Sequence, residues 1–273
     1  MTVKAYLFLM RSRVLSMLFV AVIFSGCTTM TGAEPQVTRE DLGTHSSDQT
    51  RFRLVRVVAD VREPWSFLFL PGGDMLVAEI SGSLWRVQGE QVSEVAGLPD
   101  ISVNGQGGLL DLALHPGFST TGWLYFSYAD RYDGGWGTSV ARGRLEGSTL
   151  RDVEVIFRMN RTSAGGRHFG SRLVFGPDDL LYFMIGDRGQ RERAQDPSDH
   201  AGTVIRLNPD GSVPSTNPFA DGDDGASEVY SYGHRNAQGL TVHPQTGAIW
   251  LHEHSPQGGD EINVVDDGAN YGW

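Results

Sequence analysis

Short apolar runs broken by turn-forming clusters fill this chain, and long stretches with a 3.6-residue period are absent. Runs such as Leu173 to Phe175, Leu240 to Val242, Ala248 to Leu251 and Ile262 to Val265 predict β-strands, with polar clusters at their ends. The 35 glycines point the same way, towards many turns and few helices. A loose repeat organises the runs. LPGGDMLVAEISGSLWRV begins at Leu70, HPGFSTTGWLYFSYAD at His115, GPDDLLYFMIGDRG at Gly176 and HPQTGAIWLHEH at His243. Each has a proline turn, then Gly or Asp, then an apolar strand. Pro71, Pro116, Pro177 and Pro244 are 45, 61 and 67 residues apart, an irregular spacing that suits four-stranded propeller blades with insertions. At ~50–60 residues per blade, residues 51–273 supply about four. The predicted fold class is an all-β propeller.

The start of the chain reads differently. Arg11 and Arg13 precede an apolar run from Val14 to Phe24, which is shorter than the ~20 residues needed to span a bilayer. Phe24-Ser25-Gly26 then leads into Cys27, the chain's one cysteine. This resembles a bacterial lipoprotein signal over residues 1–27, with Cys27 as the lipidated residue and Phe24 where Leu is usual. An ordinary secretory signal with an incidental Cys27 is the other reading. Both export the protein to the cell envelope; the first implies a periplasmic location with a lipid anchor as the sole membrane contact. With one cysteine, an intramolecular disulfide is impossible. Residues 28–50, rich in Thr, Ser, Gly and Asp, are expected to be a flexible tether, leaving 51–273 as the folded domain. The net charge of -11 argues against a nucleic-acid partner, which requires a basic face.

Several polar clusters carry possible chemistry. His168 sits in the glycine-rich GGRHFG, where neutral imidazole could accept a proton, although such a histidine by itself is more often a turn or core residue. Arg167 and Arg172 nearby would disfavour imidazolium if they faced the same site. GHRNAQG offers Arg235 and Asn236 for a planar, carboxylate-bearing ligand, or simply a solvated turn. Gln106 in NGQGG is an ordinary loop residue on its own. His252 and His254 have strand spacing that can bind zinc, but no third ligand is evident. Asp221, Asp223 and Asp224 miss the glycine and glutamate of an EF-hand loop and are read as solvated.

Taken together, NGQGGLLDLALHPGF, GGRHFGSRLVFGPDDLLYFMIGDRG, VIRLNPDGSVPSTNPF, GHRNAQG, HEHSPQGGDEIN and NYGW resemble the soluble aldose sugar dehydrogenases that use pyrroloquinoline quinone, the glucose/sorbosone dehydrogenase family. The resemblance runs from about Pro64 to the last residue. It implies a six-bladed propeller that oxidises aldoses at the anomeric carbon to lactones, with hydride passing to the quinone. On this resemblance His168 is the proton acceptor, and Gln106, His168, Arg235 and Asn236 face the quinone and sugar. Glu261 and the carbonyl of Tyr271 would ligate calcium. Ser255-Pro256 replaces the family's Gly-Pro at a second calcium, which puts that loop's geometry in question because Ser enters positive φ less freely. The electron acceptor is left unidentified. The family pattern continues past NYGW, so the chain is expected to lack roughly two blades and to be unstable or inactive by itself. A calcium-dependent propeller lactonase and a non-catalytic carbohydrate-binding propeller are the alternative functions.

Overall fold

A computed structural model describes residues 33–273; the expected signal segment, with Cys27, lies outside the described residues. A hairpin of β1 (Gln36–Ser46) and β2 (Arg51–Ala59) comes first. Four antiparallel sheets follow in chain order. The first holds β3 (Pro64–Phe69), β4 (Met75–Glu79), β5 (Leu84–Gln88) and β6 (Gln91–Glu94). The second holds β7 (Leu109–Leu114), β8 (Trp123–Tyr132), β9 (Gly135–Glu146) and β10 (Thr149–Arg158). The third holds β11 (Leu173–Phe175), β12 (Leu181–Ile185), β13 (Thr203–Leu207) and β14 (Val229–Tyr232). The fourth has three strands, β15 (Ala237–Val242), β16 (Ile249–Glu253) and β17 (Glu261–Val264). Within each sheet, strand order equals chain order. The first strands, β3, β7, β11 and β15, neighbour one another in succession. This is the all-β propeller arrangement the repeat predicts, with four blades.

The four prolines explain the repeat. Pro71, Pro116, Pro177 and Pro244 each lie in the turn between the first and second strands of a blade. Proline is tolerated there because no ladder hydrogen bond needs its missing N–H. In the first three blades the second strands then bury both faces, and their period-two alternation splits β8 and β12 between two cores, whereas β16 of the fourth blade buries one face. On β12, Leu181, Phe183 and Ile185 pack towards the second blade, with Phe157 and Val140, while Tyr182 and Met184 pack towards the fourth, with Leu240 and Leu251. On β8, Leu124, Phe126 and Tyr128 join Leu76 and Leu84 of the first blade, and Tyr125 joins the third. Burying one such Leu or Phe contributes about 1.5–3 kcal/mol. The contacts between blades therefore hold the fold together.

One expectation is corrected. The tether predicted over residues 28–50 is, from Gln36 to Ser46, a strand paired with β2. Most of its residues are exposed, so no apolar alternation marks it in the sequence. Cross-strand pairing and ion pairs such as Arg56–Glu40 order it, and Arg39 reaches Glu90 of the first blade at 3.1 Å. Apolar side chains are also exposed at Phe67 and Phe69 of β3 and at Ile262 and Val264 of β17.

Candidate active site

The loops that enter the first strands β7, β11 and β15 share one face of the blades, and the antiparallel β12 and β16 end there. Gln106 precedes β7, His168 precedes β11, and Arg235 and Asn236 precede β15. Asp187 follows β12, and Glu253 closes β16. Propeller connectivity thus collects residues from five separate stretches of chain.

His168 is held in a left-handed backbone conformation, φ 52°, which a non-glycine residue keeps only under strong external restraint. The restraints are evident. The Gln106 side-chain oxygen accepts the His168 amide N–H at 2.7 Å, and the Gln106 backbone amide donates to the Gly166 carbonyl at 2.8 Å. Gly105, at φ 59°, permits this contact, since a Cβ there would overlap the Gly166 carbonyl. Beneath the loop lies Arg188, only 2 % exposed. Its guanidinium donates to the carbonyls of Gly165 and Arg167 and stacks 3.5 Å from the centre of the Phe169 ring. Burial, reinforced by the charge of Arg193, pushes Arg188 down to about 10, which still leaves it charged at neutral pH.

The imidazole is oriented by a carboxylate. His168 Nδ1 lies 2.6 Å from Asp187 Oδ1, and Asp187 is 2 % exposed. Burial alone would raise the Asp187 carboxyl. The hydrogen bonds from His168, the Gly189 amide and the Trp273 indole outweigh that and hold it below the usual carboxylate range. An ionised carboxylate can only accept, so Nδ1 carries a proton, and in the neutral ring Nε2 is then the nitrogen with the lone pair. Among the described residues nothing bonds to Nε2. A positive charge formed on this ring would have an adjacent counter-ion in Asp187.

Arg235 is placed from behind. Glu253, 4 % exposed, accepts the Arg235 amide N–H, the Asn263 amide at 3.1 Å and Nδ1 of the fully buried His234 at 2.9 Å. His234 in turn reaches Ser231 Oγ at 3.0 Å and stacks on Tyr271 with ring centres 4.5 Å apart. The Ser231–His234–Glu253 chain has the order of a nucleophilic triad. However, Ser231 and His234 are 0 % exposed, so the chain anchors the turn instead of meeting a substrate. The Arg235 carbonyl accepts the Asp187 amide at 2.8 Å, tying this turn to the residue that orients His168.

A cavity of about 360 Å³ opens here, with Trp65, Gln106, Phe169, Asn236, Gln238 and His254 among its walls. A neighbouring cavity of about 240 Å³ includes Arg191, Arg235, Glu253, Glu261, Tyr271 and Trp273. Neither Arg191 nor Arg235 forms an ion pair with a carboxylate among the described residues. Both lie over the Trp273 ring, 4.3 and 5.4 Å from its centre. Two guanidinium groups stacked on the Trp273 indole can meet an acidic, planar group, with Glu253 and Glu261 lining the same cavity.

The family model for glucose/sorbosone dehydrogenase matches residues 61–273. The chain belongs to the glucose/sorbosone dehydrogenase family. The aldose sugar dehydrogenase YliI of Escherichia coli is 39% identical over 226 residues, which are 80% of this chain and 61% of that protein. Quinoprotein glucose dehydrogenase B of Acinetobacter calcoaceticus is 30% identical over 247 residues, 80% of this chain and 51% of its own length. The soluble E. coli aldose sugar dehydrogenase, solved in the apo-form, superposes with a TM-score of 0.74 at 40% identity, over 78% of this chain and 63% of that one. The PQQ-bound aldose sugar dehydrogenase of Streptomyces coelicolor gives 0.70 at 32% identity, with 78% and 63% covered. The chain thus spans between 51% and 63% of the length of these relatives.

For this glucose/sorbosone dehydrogenase family member, the structure brings Gln106, His168, Arg235 and Asn236 to one face. It corrects the electrostatics. Arg172 is bound to Asp111 at 2.7 Å and stacked on Trp65, and the group bonded to the His168 ring is a carboxylate. Ser255 does not have positive φ, so replacing glycine there imposes no backbone strain. Glu261 and Tyr271 line the same cavity. The Glu261 carboxylate is exposed, with only the Asn263 amide bonded to it, at 3.2 Å. Calcium takes six to eight oxygens, and no group of three His, Cys, Asp or Glu stands ready to hold a metal among the described residues. The donor types suit calcium, but main chain or water would have to complete the set.

Sequence reasoning misses the roles of Asp187, Arg188, Glu253 and Trp273, although the GDRG that follows the apolar run Leu181–Ile185 marks the place of the first two. Gly186, in the same turn, gives a direct test of the geometry. A Cβ there would overlap the His168 carbonyl and come within 2.8 Å of Asn236 Oδ1. Gly186→Ala is expected to cost about 1–3 kcal/mol of stability. Displacing the base should also lower turnover by about 10²-fold. Thermal melting and dye-reduction assays on the variant check both.

Proposed function

We propose that this protein is an aldose sugar dehydrogenase that uses pyrroloquinoline quinone and calcium, with His168 as the base that removes the anomeric hydroxyl proton. The observation that carries this reading is His168, with ring Nδ1 committed to Asp187 and its amide bonded to Gln106, which lines a cavity together with Asn236. When bound, the quinone takes up the two electrons released at the anomeric carbon. Trp65 offers an aromatic wall for a planar ring, and Arg235, in the neighbouring cavity, offers a guanidinium for an acidic edge or carbonyl. Gln106 fixes the backbone of the base. As Nε2 accepts the proton, Asp187 stabilises the imidazolium, and the low polarity around its buried carboxylate strengthens that attraction. Glu261 and Tyr271 are the proposed calcium ligands. Residues 1–27 support export, with Cys27 as the proposed lipid anchor.

The expected result, for the full-length form, is that an artificial dye is reduced by aldoses only when both pyrroloquinoline quinone and calcium are supplied. Quinone and calcium are withheld singly from verified apo-protein, and initial rates are compared. Dye reduction that is indifferent to added quinone rejects the cofactor reading. Hydrolysis of sugar lactones without quinone would favour a lactonase instead.

A further inference from the structure

We propose that Trp273 is a positioning residue, which locks the carboxylate that orients His168 and ties it to the Arg235 turn. This rests on the reading of His168 as the base.

The two oxygens of Asp187 have different partners. Oδ1 accepts from His168 and, at 2.6 Å, from the Gly189 amide. Oδ2 accepts from the Trp273 indole Nε1–H at 2.7 Å. Rotation of an aspartate about its terminal torsion is soft, so a donor on the second oxygen is needed to fix the carboxylate plane. At 2 % exposure Asp187 cannot readily replace that donor with bulk water. A lost indole N–H would leave a buried acceptor unsatisfied. The plane of the carboxylate sets the direction of the imidazole, and hence of Nε2.

Trp273 is itself held on several sides. Its amide donates to the Gly233 carbonyl at 2.9 Å, and its carbonyl accepts from Gln195 at 3.1 Å. Arg191 and Arg235 lie over its ring. One side chain therefore touches both the carboxylate behind the base and the arginine proposed for the quinone. Indole meets both demands, because its edge donates a hydrogen bond while its face attracts cations.

Trp273→Phe separates these roles, since it keeps an aromatic face and removes the N–H. In quinone-free protein carrying ¹⁵N-labelled histidine, His168 should show a single Nδ1-protonated tautomer. Trp273→Phe should shift its ring nitrogens towards averaged values. The loaded variant should lose about 10²-fold in kcat with KM little changed, the effect of a misdirected base. Should Trp273→Phe fold poorly, a second measurement leaves Trp273 intact. In Asp187→Ala the Trp273 indole N–H resonance should move and exchange faster with solvent. Unchanged His168 ring shifts in folded Trp273→Phe, or an unmoved indole resonance in Asp187→Ala, would overturn the proposal. Both spectra are taken without quinone or sugar. Failure of aldose oxidation would reject the functional reading, while the resonances still decide whether Trp273 orders the pair.

Discussion

His168→Gln is expected to lower turnover by ~10²–10⁴-fold, the usual contribution of general base catalysis, while quinone binding persists. Glutamine is close to histidine in size and polarity, but its side-chain amide has no basic nitrogen. The acceptor at Nε2 is lost, whereas Arg235, Asn236 and the aromatic walls are untouched. Quinone titration of the variant should therefore resemble the wild type, and the loss should appear in kcat. Near-normal turnover would remove His168 from the mechanism. Loss of quinone binding would show that the histidine serves the cofactor instead.

Asp187→Asn is expected to lower turnover on the order of 10²–10⁴-fold, by analogy with carboxylates that orient catalytic histidines elsewhere. Every contact to the Asp187 carboxylate comes from a donor: His168 Nδ1–H, the Gly189 amide and the Trp273 indole. An asparagine has one acceptor and one NH₂ group at these positions. If the NH₂ faces Trp273, two donors collide in a buried site. If it faces His168, it collides with Gly189 and favours the tautomer whose Nε2 carries the proton. That form cannot act as the base. Steady-state kinetics and the ¹⁵N shifts of His168 check the result together. Turnover within about fivefold of wild type, far smaller than the loss of an orienting carboxylate produces, would assign Asp187 to folding alone.

Much of the architecture was legible because it is local. A strand announces itself through its apolar run, and Pro71, Pro116, Pro177 and Pro244 mark the same turn in each blade. The hairpin over residues 36–59 was not legible. Both its faces are largely exposed, so its composition matches that of a solvated linker, and only cross-strand pairing distinguishes the two.

The site divides along the same line. His168, Gln106, Arg235 and Asn236 could be named because their motifs together resemble a known family; each by itself reads as an ordinary loop residue. Their roles were harder to read. Arg167 and Arg172 lie close to His168 in the sequence and suggested a neutral ring beside cations. In the fold, Arg172 turns away to Asp111, and a carboxylate from 19 residues further on takes the Nδ1 position. The indole that steadies this carboxylate comes from 86 residues beyond it.

The sequence alone therefore determined the blade-like strand repeat, the turn that punctuates it and the residues able to accept a proton or meet an acidic ligand. Tertiary structure decided which of those residues face one another, which ring nitrogen is free and which buried partners fix its direction. The physical reason is that strand formation follows from local alternation and turn chemistry. Base orientation instead depends on hydrogen bonds that exist only after the faces of neighbouring blades have packed.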